Sequence, residues 1–176
     1  YLDSLFNVKS FADYFIFNSY VVNKDWLNYN TAWWRGRNVN CAKRKWRYTL
    51  WDMDATFGHY TNYTGIPNTS PTADPCDVDS SSLGNPGGQG HTGIMAALMN
   101  NPGFKAYYIN RYADLLNTTF SCSNMISLLD SMLALIQPEM AKHFVKWGGS
   151  QSGWNANVQA LKTFINARCP AVVSGF

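Results

Sequence analysis

The sequence is poor in charge and lacks any long hydrophobic run. Only 14% of its 176 residues are charged, against 46% hydrophobic and 15% aromatic, whereas soluble domains average about 25% charged residues. This balance excludes a disordered chain or a coiled coil and predicts one compact domain. No apolar stretch reaches the roughly 18 residues of a membrane span. A net charge of +3 is too small to imply a nucleic-acid partner by itself.

The sequence also has no Cys-x-x-Cys pair, which argues against a zinc site. Its four cysteines are widely spaced, at Cys41, Cys76, Cys122 and Cys169, and two disulfides in one of three pairings are the favoured interpretation for a secreted chain. We prefer a Cys122–Cys169 bridge, because Cys122 begins one predicted helix and Cys169 follows another. Four buried thiols in a reducing compartment are the alternative. Sequons at Asn62, Asn68 and Asn117 are compatible with a secreted or cell-surface location.

Two acidic segments carry the chemistry. Asp25 is followed five positions later by Asn30, and a second segment reads Trp51-Asp52-Met53-Asp54-Ala55-Thr56-Phe57-Gly58. An Asp-x-x-x-x-Asn pair followed by an Asp just before a Phe-Gly turn is the order of the catalytic and metal-binding loops of kinases. Magnesium prefers carboxylate and amide oxygens, and a carboxylate beside an incoming hydroxyl can accept its proton. The alternative is that both Asp residues are ordinary turn residues.

The apolar pattern predicts how these segments are supported. A helix over 8–22, apolar nearly all round, precedes Asp25, and strands over 31–35 and 46–51 form a hairpin that carries Asp52. Residues 59–90 read as a long irregular segment in the position of an activation segment. Helices follow, capped by Asn101-Pro102 and by Ser123, and then over 138–147 and 153–168. We predict that the apolar stripes of these helices are core: Phe104, Tyr107, Tyr108, Tyr112, Leu115, Met125, Ile126, Leu129, Met132, Leu133, Ile136, Trp154, Val158, Leu161, Phe164 and Ile165.

Positive charge is concentrated in the predicted hairpin. Six of the fourteen Lys and Arg residues lie within 35–47. One interpretation is contact with phosphate or an acidic substrate. The other, which the sequence alone favours, is a solvated edge hairpin that resists aggregation.

The sequence resembles the CotH kinase family of spore-coat proteins. The resemblance rests on Ser10-Phe11-Ala12-Asp13-Tyr14 with Asn18, on residues 23–30, on Trp46-Arg47, and on 51–58, with weaker matches at 101–104, 111–115 and 136–139. It implies an α+β, mostly α fold: the C-terminal lobe of a protein-kinase-like fold, with a small β-hairpin that carries the metal-binding loop. The implied activity is transfer of phosphate from ATP to Ser-rich coat or secreted proteins, with Mg²⁺. By this resemblance Asp25 is the catalytic residue, Asn30 and Asp52 bind the cofactor and its metal, and Asp54 is a further metal carboxylate.

A kinase also needs a nucleotide-covering lobe with a phosphate loop and a Lys–Glu pair, which 1–176 does not contain. We therefore expect this chain to be the C-terminal part of a CotH-like kinase domain, to work with an upstream N-terminal part of the same polypeptide, and to be inactive alone. A secreted structural or carbohydrate-interacting module without catalysis is the alternative. Its support is aromatic richness, with seven Trp and ten Tyr, and no well-placed Glu accompanies Asp52 and Asp54 for glycoside hydrolysis.

Overall fold

The structure, a computed structural model, describes residues 2–26, 30–38, 40, 43–76 and 90–175. These residues form a mostly helical α+β fold with one two-stranded antiparallel sheet, as the sequence predicts. In chain order the elements are α1 (Leu2–Leu5), α2 (Val8–Tyr20), β1 (Ala32–Trp34), β2 (Arg47–Thr49), α3 (His91–Met99), α4 (Pro102–Asn117), α5 (Cys122–Ile136), a 3₁₀ turn (Gln137–Glu139), α6 (Met140–Trp147) and α7 (Gln151–Ser174).

Helix α2 is the centre of the core. Asn7 caps it by accepting a hydrogen bond from the Ser10 amide at 2.9 Å, which satisfies one of the free N–H groups of the first turn. Eight of its thirteen residues are buried, and Phe11 and Phe15 are among the least exposed side chains of the chain. Such a helix has almost no solvent face, because aromatic residues and α4 surround it. The predicted helix over 8–22 is thus confirmed, ending two residues early.

The hairpin is also confirmed, with shorter strands than predicted. Ala32 pairs with Thr49, Trp33 with Tyr48 and Trp34 with Arg47. Tyr48 is the buried residue of β2, and its hydroxyl lies 2.7 Å from Nδ1 of His91. That bond ties the sheet to the start of α3, a helix that the sequence interpretation missed. The pattern Ile94, Met95 and Leu98 was the available signal for it.

The predicted core role of α5 is confirmed only in part: Met125 packs against the main core, and Ile126, Leu129 and Leu133 are half-buried. No residue of α5 or α6 is buried, and Met132 and Ile136 are 55% and 49% exposed. Trp154, Val158 and Leu161 of α7 are only partly buried, whereas Phe164 and Ile165 are buried as expected. An amphipathic stripe predicts a helix and its apolar face. Here α7 packs against α5 but covers that face only in part.

Two predicted helix boundaries also need correction. Ser121, rather than Ser123, is the N-cap position of α5. Helix α7 continues past Arg168 and through Pro170 to Ser174, although proline removes a backbone donor. The buried side chains of Arg168, Cys169 and Val172 hold this last part of the helix against the core and offset that loss. The capping of α4 by Asn101, with Pro102 in the first turn, is as predicted.

The Cys122–Cys169 disulfide is present and joins the start of α5 to α7. The second expected disulfide is not supported, because Cys76 is an exposed free thiol and Cys41 lies outside the described residues. Part of the predicted 59–90 segment, residues 77–89, lies outside them too. Among the described helices, none alone is long and apolar enough to cross a membrane, although the bent pair Pro102–Asn117 and Cys122–Trp147 passes a length and composition test together.

Candidate functional site

Asp25 lies in a loop that a chain of buried amides holds to α2. Asn18 of α2 donates to the Tyr14 carbonyl at 2.8 Å, and the Asn23 amide donates to Asn18 Oδ1 at 2.7 Å. Asn23 Oδ1 then accepts the backbone N–H of Asp25 at 2.8 Å. Both asparagines are 2% exposed or less, where polar groups are tolerated only when they are hydrogen-bonded. The position of Asp25 is therefore fixed from inside the core.

The carboxylate of Asp25 is held by Asn30. Asn30 Nδ2 donates to Asp25 Oδ2 at 2.8 Å and to the Asp25 carbonyl at 3.3 Å. Asn30 adopts a left-handed backbone with φ of 49°, a conformation that asparagine accepts more readily than most residues. The bond leaves the second carboxylate oxygen of Asp25 without a hydrogen bond to a described residue.

The acidic loop after β2 is fastened to the Asp25 loop by backbone hydrogen bonds. The Lys24 N–H donates to the Ala55 carbonyl at 2.9 Å, and the Phe57 N–H donates to the Val21 carbonyl at 2.8 Å. Within the acidic loop, the Thr56 hydroxyl donates to the Met53 carbonyl at 2.8 Å. These bonds place exposed Asp52 and Asp54 beside Asp25, although the two segments are about 27 residues apart in sequence.

The Phe57-Gly58 turn needs its glycine. Gly58 has φ of +78°, and a Cβ there would come within 2.9 Å of the Phe164 ring on α7. Asp52 and Phe57 have φ of 49° and 52° as well. Left-handed backbone at non-glycine residues is strained and is concentrated at functional sites. In this structure it brackets the acidic loop on both sides.

Burial raises the pKa of the Asp25 carboxyl, and the negative charges of Asp52 and Asp54 raise it further, while the Asn30 hydrogen bond opposes the change. The three carboxylates are thus close enough to repel one another. Lys24, the neighbouring cation, is buried and donates its ammonium to the Tyr60 carbonyl at 2.7 Å. Burial lowers the pKa of Lys24. Negative charge accumulates at this point of the surface.

The carboxylates of Asp52 and Asp54 fit a magnesium site that uses few protein ligands. No group of three or more His, Cys, Asp or Glu side chains among the described residues could by itself enclose a metal. Magnesium, however, binds through one or two carboxylates, with waters and substrate phosphates completing its shell. Asp52 and Asp54 make no hydrogen bond or ion pair to another described residue, and a divalent cation beside them would offset the repulsion that raises the pKa of Asp25.

A buried arginine supports the whole loop from behind. Arg168 of α7 has no exposed surface, and its guanidinium donates to the carbonyls of Ser19 and Tyr20, each at 2.9 Å, at the end of α2. It also donates to the carbonyls of Pro71 and Ala73. Arg168 thereby joins α7, the 70–73 segment and the start of the Asp25 loop. Sequence reasoning treated it as the end of a helix.

The family-model comparison matches the CotH kinase protein family over residues 1–172. The chain therefore belongs to the CotH kinase family, and the resemblance inferred from the sequence is confirmed. No curated protein and no solved structure matches the chain significantly.

Asp25→Asn is expected to stabilise the folded protein at neutral pH. Because the pKa of Asp25 is raised above 3.8 in the folded state, folding binds a proton, and stability falls as pH rises from the unfolded value through the folded one. Removing the charge removes that penalty, by an amount on the order of 0.5 kcal/mol, the scale of solvent-screened charge interactions. Urea unfolding in EDTA should give the variant a higher free energy of unfolding than the wild type at about pH 7, and this difference should disappear near pH 4. A variant that is less stable at both pH values would contradict this interpretation.

Proposed function

We propose that this chain is the catalytic-loop part of a CotH-type atypical kinase that transfers the γ-phosphoryl group of ATP to Ser or Thr hydroxyls of secreted or coat proteins. One observation carries the proposal: the Asp25 carboxylate, fixed by Asn30, faces a loop with two exposed carboxylates and no cation paired to them among the described residues. Phosphoryl transfer needs positioning and charge neutralisation more than covalent help, and this arrangement supplies both.

Each site residue has a distinct part in this proposal. Asp25 orients the acceptor hydroxyl and accepts its proton through the carboxylate oxygen that Asn30 leaves open. Asp52 and Asn30 would hold Mg²⁺, which when bound neutralises charge on the phosphates of ATP. Asp54 adds a second carboxylate to that position. The backbone bonds Lys24–Ala55 and Phe57–Val21 keep the two loops in register, so that the hydroxyl and the phosphates would meet in one orientation.

The nucleotide-binding part is proposed to lie elsewhere in the natural polypeptide. A kinase lysine that contacts ATP pairs with a helical Glu, but the only Glu of this sequence, Glu139, is exposed and pairs with Lys142 at 2.8 Å. This chain alone thus lacks the pair and is proposed to be inactive. A secreted or cell-surface location is supported by the Cys122–Cys169 disulfide, since disulfides persist in oxidising compartments.

The test is magnesium-dependent phosphorylation by the natural polypeptide that carries this chain. With ATP, Mg²⁺ and a Ser-rich peptide, mass spectrometry should show phosphoserine, and EDTA should abolish it because the metal offsets phosphate charge. Excess Mg²⁺ should restore the reaction. Residues 1–176 expressed alone should neither transfer phosphate nor bind ATP tightly by calorimetry. Transfer that persists undiminished in EDTA, or the absence of any phosphorylated hydroxyl with Mg²⁺ present, would refute the proposal.

A further inference from the structure

The basic cluster of the hairpin lines a pocket that the proposed chemistry does not use. The pocket has a volume of about 790 Å³ and lies between the start of α2 and the end of the hairpin far from Asp25. Five cationic side chains line it: Arg35, Arg37, Arg44, Lys45 and Arg47. None of the described residues that line it is acidic, and no acidic residue stands between Asp25 and Asp52 in the sequence. The pocket is therefore strongly positive.

Contacts with tryptophan rings hold two of these cations in place. The Arg35 guanidinium lies 4.8 Å from the centre of the Trp46 ring, and that of Arg47 lies 5.9 Å from the centre of Trp34. Arg47 also donates to the Lys45 carbonyl at 3.2 Å. A guanidinium that stacks on a ring keeps N–H groups at its edge for an oxyanion. Side chains that are already ordered lose less conformational entropy when a ligand binds. A hairpin whose charges only keep it solvated would not need such ordering.

The wall opposite the hairpin is rigid as well. The Trp46 N–H donates to the Leu5 carbonyl at 2.9 Å, and the Asn7 N–H donates to the Trp46 carbonyl at 2.9 Å. Asn7 in turn caps α2, whose first turn contains no acidic residue. The pocket thus lies beside the positive end of a 13-residue helix, which adds to its attraction for anions.

The pocket is at a definite distance from the proposed catalytic residues. The Ala32–Thr49 pair lies at the Asp25 end of the hairpin, and the Trp34–Arg47 pair lies at the pocket end. From Thr31 to Arg35 the extended chain covers about 14 Å, at roughly 3.4 Å per residue. The pocket is therefore too far away to hold the phosphates of the ATP that would react at Asp25. An extended peptide spans the same distance with about four residues.

We propose that this pocket binds a phosphoserine-bearing segment of the acceptor protein, about four residues from the hydroxyl that is phosphorylated. The biological role rests on the proposed function, because the product of one transfer on a Ser-rich acceptor would become the ligand that positions the next serine. Binding itself does not depend on that function. Arginine is the preferred partner of phosphate, since its planar fork forms paired hydrogen bonds with two oxygens, and four of the five cations are arginines.

The tryptophan contacts argue against single-stranded nucleic acid as the ligand. Sequence-tolerant nucleic-acid binding uses exposed aromatic faces on which bases stack. One face of Trp34 and one of Trp46 are already next to cations, and Trp33 packs against Tyr48 and His91 at 5.9 and 5.4 Å between ring centres. Because Trp33 and Trp34 are still 45% and 42% exposed, the case for an oxyanion rests on the five cations that line the pocket, and nucleic acid is one outcome of the test below.

Equilibrium binding tests the proposal on the natural polypeptide in the Asp25→Asn background, without ATP or metal, so that catalysis is not involved. Three labelled peptides are compared by fluorescence anisotropy: one with two phosphoserines, the same peptide with glutamates, and the same with unmodified serines. The phosphopeptide should bind at least about tenfold more tightly than either, an effect that weakens with salt. R37Q/R44Q should weaken phosphopeptide binding about tenfold or more, whereas the matched K142Q/K146Q pair on α6 should change it less than about twofold.

Three results would overturn the proposal: unchanged phosphopeptide binding in R37Q/R44Q, an equal loss in K142Q/K146Q, or a glutamate peptide that binds as tightly as the phosphopeptide. The same assay is run with a single-stranded DNA of about twelve nucleotides. If this DNA binds more tightly than the phosphopeptide, and if R37Q/R44Q weakens its binding, the proposal is overturned in favour of nucleic acid. Urea unfolding of both variants controls for folding, and Arg37 and Arg44 are exposed. Failure of phosphoryl transfer with phosphopeptide binding intact would refute only the proposed function.

Discussion

Asp25→Asn in the natural polypeptide is expected to lower kcat for phosphoryl transfer by about 10²–10⁴-fold, the range that a positioned general base contributes. Asparagine keeps the size of the side chain, and its oxygen can still accept the hydrogen bond from Asn30 that holds Asp25 at 2.8 Å. What it loses is the ability to accept the proton of the acceptor hydroxyl. Phosphate incorporation at saturating ATP and peptide measures the effect, with KM changing little because ground-state contacts remain.

The matched control is Asp114→Asn, the same chemical change at an exposed position of α4, outside the two acidic segments. It should leave kcat within about twofold of the wild type. Asp52→Asn should also reduce transfer severely, through loss of a metal ligand. The double variant D25N/D52N should be hardly slower than the slower single variant, because residues that act as one unit lose activity non-additively.

If Asp25→Asn retains activity, Asp25 is not the general base. If the losses in D25N/D52N are additive, Asp25 and Asp52 do not act as one unit. The stability measurement described above keeps these outcomes interpretable. Since Asp25→Asn is expected to be at least as stable as the wild type at neutral pH, lost activity cannot then be assigned to unfolding.

The elements that the sequence predicted well are those whose signal is local. Helix α2 follows from dense apolar periodicity, and the hairpin follows from two short aromatic runs, one of them alternating, that flank a basic turn. Helix α5 has an equally clear stripe, yet none of its residues is buried. Periodicity states which face of a helix is apolar, and whether another element covers that face depends on the tertiary arrangement. Helix α7 extends past the predicted end at Arg168 because buried Cys169 and Val172 pack against the core, a contact that only the tertiary arrangement reveals.

The candidate site divides in the same way. The adjacency of Asp25 and Asn30 is encoded in a five-residue spacing, and it is present as a 2.8 Å hydrogen bond. The backbone bonds that bring Asp52 and Asp54 beside them join residues about 30 positions apart, and no pattern within either segment specifies them. Asn18 and Asn23 left a weak signal, namely polar residues within or next to an apolar helix, where burial requires a partner. The pocket at the far end of the hairpin could not be predicted from the sequence, because a cluster of charged residues in a sequence can form either a concave wall or a solvated edge.

Arg168→Met is expected to cause the largest loss of stability, about 3–5 kcal/mol, comparable to breaking a buried ionic interaction. Methionine fills much of the space, but the carbonyls of Ser19, Tyr20, Pro71 and Ala73 lose the guanidinium as a donor. Ser19 keeps the Val22 N–H, and each buried group left unsatisfied costs about 1–3 kcal/mol. Burial lowers the pKa of Arg168, and the neighbouring Tyr112, Tyr20 and Asp74 oppose that change, so the guanidinium carries a desolvation cost that its hydrogen bonds help to offset. Urea denaturation followed by circular dichroism measures the change.

Arg111→Met is the matched control for this prediction. Arg111 forms an ion pair with Asp13 at 2.8 Å, and both side chains are more than a third exposed, so solvent screening limits the expected loss to about 1 kcal/mol or less. If Arg168→Met and Arg111→Met lost similar stability, the buried guanidinium would not be the element that fixes the end of α2. If Arg168→Met alone is strongly destabilising, the Asp25 loop depends on a contact from the opposite end of the chain. Variants of α7 would then reduce phosphoryl transfer without touching any residue that contacts the phosphate or the hydroxyl.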